Sequence, residues 1–285
     1  MWALDPPSHS AKDSWDICTK LSRDTKDNEN LGTKLREASS VAQNAAETFR
    51  VAAEAHMLHA LDPENFKIEG IADKSVTTIA YISGMTKGPG RTIYNDLMAA
   101  PEDDLCPLCR HSEVTQLDHV MPKMDYPALC VAPQNLVPVC GICNHTKNSQ
   151  TSTVAGQVLL HPYFEHTGTG SWLYAAVVPN SRGRLEYFVK SPVQWTQTFS
   201  ARVQYQFEFL KLSKRYSTRA SQTLNGMREY FASELKNNGS DGLRTHLNRL
   251  AESHLSKDHN DWRGVAYRSW ADSDDFCRGS FTMPA

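Results

Sequence analysis

Residues 106–147 read CPLCRHSEVTQLDHVMPKMDYPALCVAPQNLVPVCGICNHTK. Two Cys-x2-Cys pairs, Cys106/Cys109 and Cys140/Cys143, frame this segment with thirty residues between them. Each pair forms a tight knuckle, and the intervening loop lets the two knuckles meet, so four thiolates can surround a Zn²⁺ ion tetrahedrally. The spacing predicts a structural zinc site. The chain has seven cysteines, which would leave one unpaired in a disulfide framework. Cys18, Cys130 and Cys277 lack paired neighbours and read as buried thiols, with Cys130, inside the loop, the weaker alternative ligand.

A closed four-cysteine site keeps no coordination position for substrate, so any chemistry falls to other groups. Within the loop Asp118 and His119 stand side by side, and Asn135-Leu136 and Asn144 follow. The Asp118 carboxylate and the Asn144 amide oxygen are hard donors that suit a divalent ion while leaving room for water and phosphate. An imidazole whose ordinary pKa is about 6.5 can be neutral at physiological pH and take a proton from the attacking water. This combination suits phosphodiester hydrolysis.

The order of knuckle, Asp-His, Asn-Leu and a second knuckle running into Cys-Asn-x-x-Lys resembles the zinc-containing branch of the HNH, or ββα-metal, endonucleases. Arg91-Thr92-Ile93-Tyr94, Met121-Pro122-Lys123, Asp125-Tyr126-Pro127, Leu160-His161-Pro162-Tyr163-Phe164 and Trp172-Leu173 look like a bacterial group of stand-alone HNH proteins. The resemblance implies an α+β protein whose ββα-metal centre carries structural zinc and is flanked by mainly helical N- and C-terminal regions. It implies Asp118 as a ligand of catalytic Mg²⁺ or Mn²⁺, His119 as general base, Asn135 as the brace of the loop and Asn144 as second metal ligand, with neighbouring His145 its rival. Lys147, expected on the first turn of the following helix, and Lys123 would contact substrate. The implied activity is cleavage of double-stranded DNA to 5′-phosphate and 3′-hydroxyl ends; a further reading, compatible with cleavage or with binding alone, is an effector of a bacterial anti-phage or restriction system, restrained by a partner such as an ATPase or acting as a homo-oligomer. The alternative is a catalytically degenerate zinc-knuckle adaptor that only binds nucleic acid. His161 and Tyr163 either border a substrate groove or pack in the core; core packing is the preferred reading.

Length and charge bound these readings. With 285 residues, 40% of them apolar and 22% charged, the chain can bury a sizeable core. No window is apolar enough for a membrane span, and the first residues, MWALDPPSHSAKDSWD, show neither a secretion nor a transit pattern, so cytoplasmic residence is expected. The formal net charge of -2 is unevenly spread, with residues 1–105 at -6, 106–200 at +1 and 201–285 at +3. A chain near neutrality has little long-range attraction for a polyanion, so weak DNA binding, improved by a partner or self-assembly, is expected.

Three regions follow from the patterning: an acidic, mainly helical region over 1–100, a core over 101–165, and a hairpin followed by helices over 166–285. The first thirty residues, broken by Pro6, Pro7 and an Asp/Asn-rich run, read as irregular. Leu35, Ala38, Ala42, Ala45, Phe49, Ala52 and Ala53 recur at helical steps and predict one long helix from Thr33 to Leu61. Its small-residue stripe reads as core, with a docking surface as the alternative. SVTTIAYI at 75–82 fits either a strand or a buried helix, and Arg91–Ala99 a helix. Residues 171–190 alternate around Pro179-Asn180-Ser181-Arg182-Gly183 and predict a β-hairpin. From Thr196 onward the pattern is helical, with a break at Asn237-Asn238-Gly239, and Lys211, Lys214, Arg215 and Arg219 are candidate backbone contacts to DNA or simply solvated surface.

Overall fold

A computed structural model of the chain describes residues 3–24 and 30–283; positions 25–29 of the Asp/Asn-rich run lie outside the described residues. The lead is not irregular throughout. The Ser10 hydroxyl accepts the Asp13 N–H at 3.0 Å and caps a helix, α1 (Ala11–Thr19). Trp15 anchors it: the ring is fully buried and its Nε1–H donates to the Leu35 carbonyl at 2.7 Å.

The single helix expected over 33–61 is two, α2 (Leu31–Glu37) and α3 (Ser39–Glu54), separated where Ala38 leaves helical geometry with ψ of 7°. The stop also comes earlier. His56 adopts φ of +60°, and the Met57 N–H reaches back to the Ala52 carbonyl at 2.7 Å, a left-handed C-terminal turn that usually uses glycine. With a histidine there, the only visible stop was Asp62-Pro63. Ala42, Ala45, Ala46, Phe49, Ala52 and Ala53 are all buried, so this stripe belongs to the protein's own core and is not a docking surface. The ambiguous 75–82 segment is helical: α4 (Asp73–Val76) runs into a π-helical stretch, Thr77–Thr86. Gly84 is required where this stretch meets α1, since a Cβ there would lie 2.1 Å from the Cys18 carbonyl oxygen. Next comes α5 (Arg91–Met98).

Two short strands follow, β1 (Gln116–His119) and β2 (Leu136–Val139), antiparallel with Asp118 opposite Val137 and His119 opposite Leu136. The chain leaves β2 directly into α6 (Gly141–Lys147). Leu117, Met121, Leu129 and Leu136 join the core built by α1 to α5, so the segments read as 1–100 and 101–165 fold around shared apolar contacts. Residues 1–166 form one unit and 167–285 a second.

The second unit begins with the expected hairpin, β3 (Leu173–Val177) and β4 (Leu185–Val189). Gly183, at φ of +85°, closes its turn, and its carbonyl accepts the Trp270 indole N–H at 2.8 Å. Thr196 caps α7 (Gln197–Phe209). The long helix α8 (Leu212–Leu255) changes course at Gly239, where φ is +71°. Two helices close the unit, α9 (Trp262–Asp272), capped by Asp261, and α10 (Asp274–Cys277). Charged residues among the aromatics obscured α9 in the sequence, yet Trp270 is fully buried. The architecture is therefore mixed helix and sheet, with two small two-strand sheets. Among the described residues no helix is long and apolar enough to cross a membrane.

Candidate functional site

The two knuckles meet as their spacing requires. The Sγ atoms of Cys106, Cys109, Cys140 and Cys143 are buried and all lie within 4.8 Å of one another. The Cys109–Cys140 Sγ separation of 3.9 Å is far too long for a disulfide. It matches the edge of about 3.8 Å of a tetrahedron drawn with Zn–S bonds of about 2.3 Å. Backbone donors support the charge: the Cys143 N–H points at Cys140 Sγ at 3.4 Å, and Cys140 stands at the N-cap of α6, where the helix dipole favours a thiolate. Hydrogen bonds from Cys106 and the other sulfurs hold the Cys140 thiol below its ordinary pKa, while the bond with Cys109 and burial push Cys106 up. Four sulfurs this close ionise together only around a cation, so the donor set fits structural zinc. Cys130 lies outside the cluster, fully buried, with burial raising its thiol pKa.

The knuckles hold β1, β2 and α6 together, and the candidate residues sit on those elements. Successive side chains of a strand point to opposite faces. Asp118 turns toward α6, where its carboxylate oxygens lie 3.1 and 3.4 Å from the Lys147 ammonium. His119 turns toward the π-helical stretch, its ring edge-on to Tyr81 with centroids 4.5 Å apart. The His119 Nε2 lies 2.8 Å from the Cys130 carbonyl oxygen. A carbonyl can only accept, so Nε2 carries the hydrogen and Nδ1 is the basic nitrogen. Burial, reinforced by Lys123 and Lys147 against the pull of the Cys130 carbonyl, pushes the imidazole pKa down to about 3. Burial also holds the Asp118 carboxyl above its ordinary pKa, outweighing the Lys147 ammonium.

Asn135 is fully buried. Its Oδ1 accepts the Met121 N–H at 2.8 Å, and its Nδ2 donates to the Met121 and Leu129 carbonyls at 3.0 and 3.2 Å. One amide thus ties both ends of the loop between β1 and β2, leaving no side-chain atom free for substrate.

A cleft of about 470 Å³ opens over these elements, bordered by Asp118, His119, Lys123, Asn144, His145 and Tyr81 among others. One expected position needs correction, and the preferred core reading of His161 and Tyr163 holds. Lys147 is the last residue of α6, not on its first turn, and its ammonium is buried, donating to the His119 carbonyl at 2.6 Å as well as pairing with Asp118. His161 and Tyr163 belong to the core: His161 is edge-on to Phe49 at 5.7 Å between centroids, and the Tyr163 hydroxyl donates to the Leu136 carbonyl. Tyr81 and the Cys130 carbonyl are the contributors to the His119 environment that the sequence did not reveal. No local pattern marks a ring some forty residues away or a backbone oxygen.

Protein ea31 of Escherichia phage lambda is 30% identical to this chain over 205 residues, covering 67% of this chain and 69% of that protein. No family model matches the chain, and no solved structure matches it.

Proposed function

The chain belongs to the family of Protein ea31 of Escherichia phage lambda, and we propose that it is a metal-dependent endonuclease hydrolysing DNA phosphodiester bonds in the Asp118–His119 cleft. The observation that carries this reading is a single cleft bordered by a carboxylate, an imidazole and an amide, set on a strand–strand–helix unit beside a four-cysteine clamp. That order of elements agrees with the ββα-metal centre of the HNH resemblance.

Asp118 and Asn144 border the same cleft and offer hard oxygen donors, a set that fits Mg²⁺ or Mn²⁺. Such an ion, when bound, neutralises charge on the phosphate and on the leaving 3′ oxygen. His119 handles the proton. Its Nε2–H stays on the Cys130 carbonyl, Nδ1 accepts a proton from the attacking water, and the same carbonyl steadies the imidazolium that forms. The water oxygen bonds to phosphorus, the P–O3′ bond breaks, and the departing oxygen takes a proton from solvent. The products carry 5′-phosphate and 3′-hydroxyl ends. Asn135 keeps β1 in place as a positioning residue.

Cleavage of supercoiled plasmid by the purified chain in Mg²⁺ or Mn²⁺, compared with His119→Ala, tests the reading. Nicking or linearisation that requires both the ion and His119 supports it, and equal cleavage by a folded His119→Ala chain refutes it. One observation favours a second reading, a zinc-stapled module that binds nucleic acid without cutting: the Lys147 ammonium already neutralises Asp118 from inside the fold. A parent chain that binds DNA but never cuts it, whatever the ion, would establish that alternative.

A further inference from the structure

A second built surface lies wholly within residues 167–285, between β4 and the first half of α8, around a groove of about 720 Å³. Helical spacing brings Ser213, Ser217, Ser221 and Asn225 to one face of α8, and β4 with the residue before it brings Glu186 and Arg184 to the same groove. The Ser217 hydroxyl donates to the Leu185 carbonyl and fastens the helix to the strand. Lys214, Gln222 and Asn225 stand outward along the rim and are exposed. Arg184 and Lys214 have no carboxylate partner among the described residues.

The hairpin turn adds Arg182, close enough to Arg228 of α8 that, after burial, its charge is the next cause holding the Arg228 guanidinium below its ordinary pKa; Glu229 offsets part of this. Arg228 Nη2 donates to Asn225 Oδ1 at 2.9 Å, while Nη1 is buried without a hydrogen-bond partner. Two like charges held near each other are stabilised by an anion beside them. The surroundings agree: residues 167–285 hold 16 basic and 11 acidic side chains, a net of +5, whereas 1–166 hold 14 and 21, a net of -7.

We propose that this groove binds the phosphate backbone of duplex DNA through Arg184 and Lys214, helped by Arg182 on the adjoining hairpin turn and by Arg228 beside Asn225, with the Ser213 and Ser221 hydroxyls and the Asn225 amide N–H as neutral donors; the choice of DNA as the polyanion rests on the nuclease reading. Contacts of this kind position a duplex without reading its sequence. Of Lys211, Lys214, Arg215 and Arg219, the candidate DNA contacts in the sequence, Lys214 alone lines the groove.

Fluorescence anisotropy of a labelled 30-base-pair duplex with the full chain, without added Mg²⁺ or Mn²⁺ and across 50 to 200 mM salt, tests the groove. Each lost phosphate contact lowers the slope of log K against log salt by about 0.9, which at 0.1 M salt is roughly a five- to tenfold loss of affinity. Arg182→Ser/Arg184→Ser and Lys214→Gln are expected to show such losses equally on unrelated duplexes, and Glu186→Gln to bind more tightly, a gain that misfolding cannot produce. Parent-like affinity and slope in all three variants, or a parent that binds no duplex at 50 mM salt, overturns the inference. Cleavage with no groove-dependent binding removes this inference alone. Groove-dependent binding with no cleavage removes the nuclease reading alone.

Discussion

At position 119 the enclosed imidazole, pushed down to about 3 mainly by burial, is neutral throughout the physiological range and is available as a base without first losing a proton. An exposed histidine base would give a cleavage rate that rises with pH through about 6.5. Here the rate at saturating metal and DNA is expected to be flat through that region, and a titration centred near 6.5 in the parent would contradict the buried-base assignment. His119→Ala is expected to lose roughly 10²- to 10⁴-fold in rate, as removal of a general base does, with zinc content and far-ultraviolet circular dichroism retained. The same burial acts on stability. The native state binds fewer protons at His119 than the unfolded chain between about pH 6.5 and 3, so this residue makes the fold less stable as pH falls through that window. Lys147 supplies a sharper test, because its ammonium and a divalent ion would both neutralise Asp118. Lys147→Met leaves a buried carboxylate unpartnered, a change that typically costs about 3–5 kcal/mol, and Mg²⁺ should recover more of the melting temperature in this variant than it adds to the parent. Equal Mg²⁺-induced shifts would show that ion and ammonium do not share the site. That Asp118, His119 and Asn144 would border one cleft was legible because 27 residues of one loop and helix carry them in a fixed order; the ammonium on Asp118 was not, because its burial depends on where α6 ends.

The elements that position these residues are stapled more than they are packed. β1 and β2 have four residues each, too short to stand alone, and α6 has seven. The cysteine clamp and the Asn135 amide do what a larger sheet would otherwise do. Replacing Cys106 or Cys140 with Ser is expected to release zinc and unfold this region, since structural zinc in small sites is coupled to roughly 10–16 kcal/mol of folding free energy. About one zinc per chain in the parent, by elemental analysis, and its loss in either variant is the expected result; undiminished zinc in both would mean that the four thiolates are not the ligands. The knuckles were readable because cysteine spacing reports ligand geometry directly. The same is true of the β3–β4 hairpin, where turn residues and alternation coincide. Elsewhere the deciding signal was tertiary. The π-helical stretch carries β-branched residues that also suit a strand, and what selects helix is Gly84 resting against the Cys18 carbonyl of α1. Gly84→Ala should therefore destabilise the first unit by about 1–3 kcal/mol through overpacking, visible as a lower melting temperature, although helix propensity alone would favour alanine.

For the molecule as a whole, the excess of positive charge and the proposed chemistry lie in different parts of the chain. The cleft residues Asp118 and His119 are buried in a unit of net -7, whereas the cations Arg182, Arg184, Lys214 and Arg228 lie in one of net +5. Near-neutrality of the total, read from sequence, concealed this division because opposite excesses cancel. Four phosphate contacts are fewer than the six to ten that typically give a loss of about 10³–10⁵ in affinity between 50 and 200 mM salt. With four, affinity should fall roughly 10²-fold over the same range, leaving the isolated chain a weak binder that gains from a second copy or another protein supplying further contacts. Salt screens exposed charges strongly and buried ones little. The second-order rate of cleavage, kcat/KM, is therefore expected to fall about 10²-fold from 50 to 200 mM salt at fixed Mg²⁺, while the rate at saturating DNA changes by less than about twofold. Steady-state kinetics on a short duplex at both salt concentrations distinguishes the two quantities. A saturated rate that fell as steeply as kcat/KM would place the salt-sensitive charges in the chemical step, and the division between a cationic binding groove and an enclosed hydrolytic cleft would have to be abandoned.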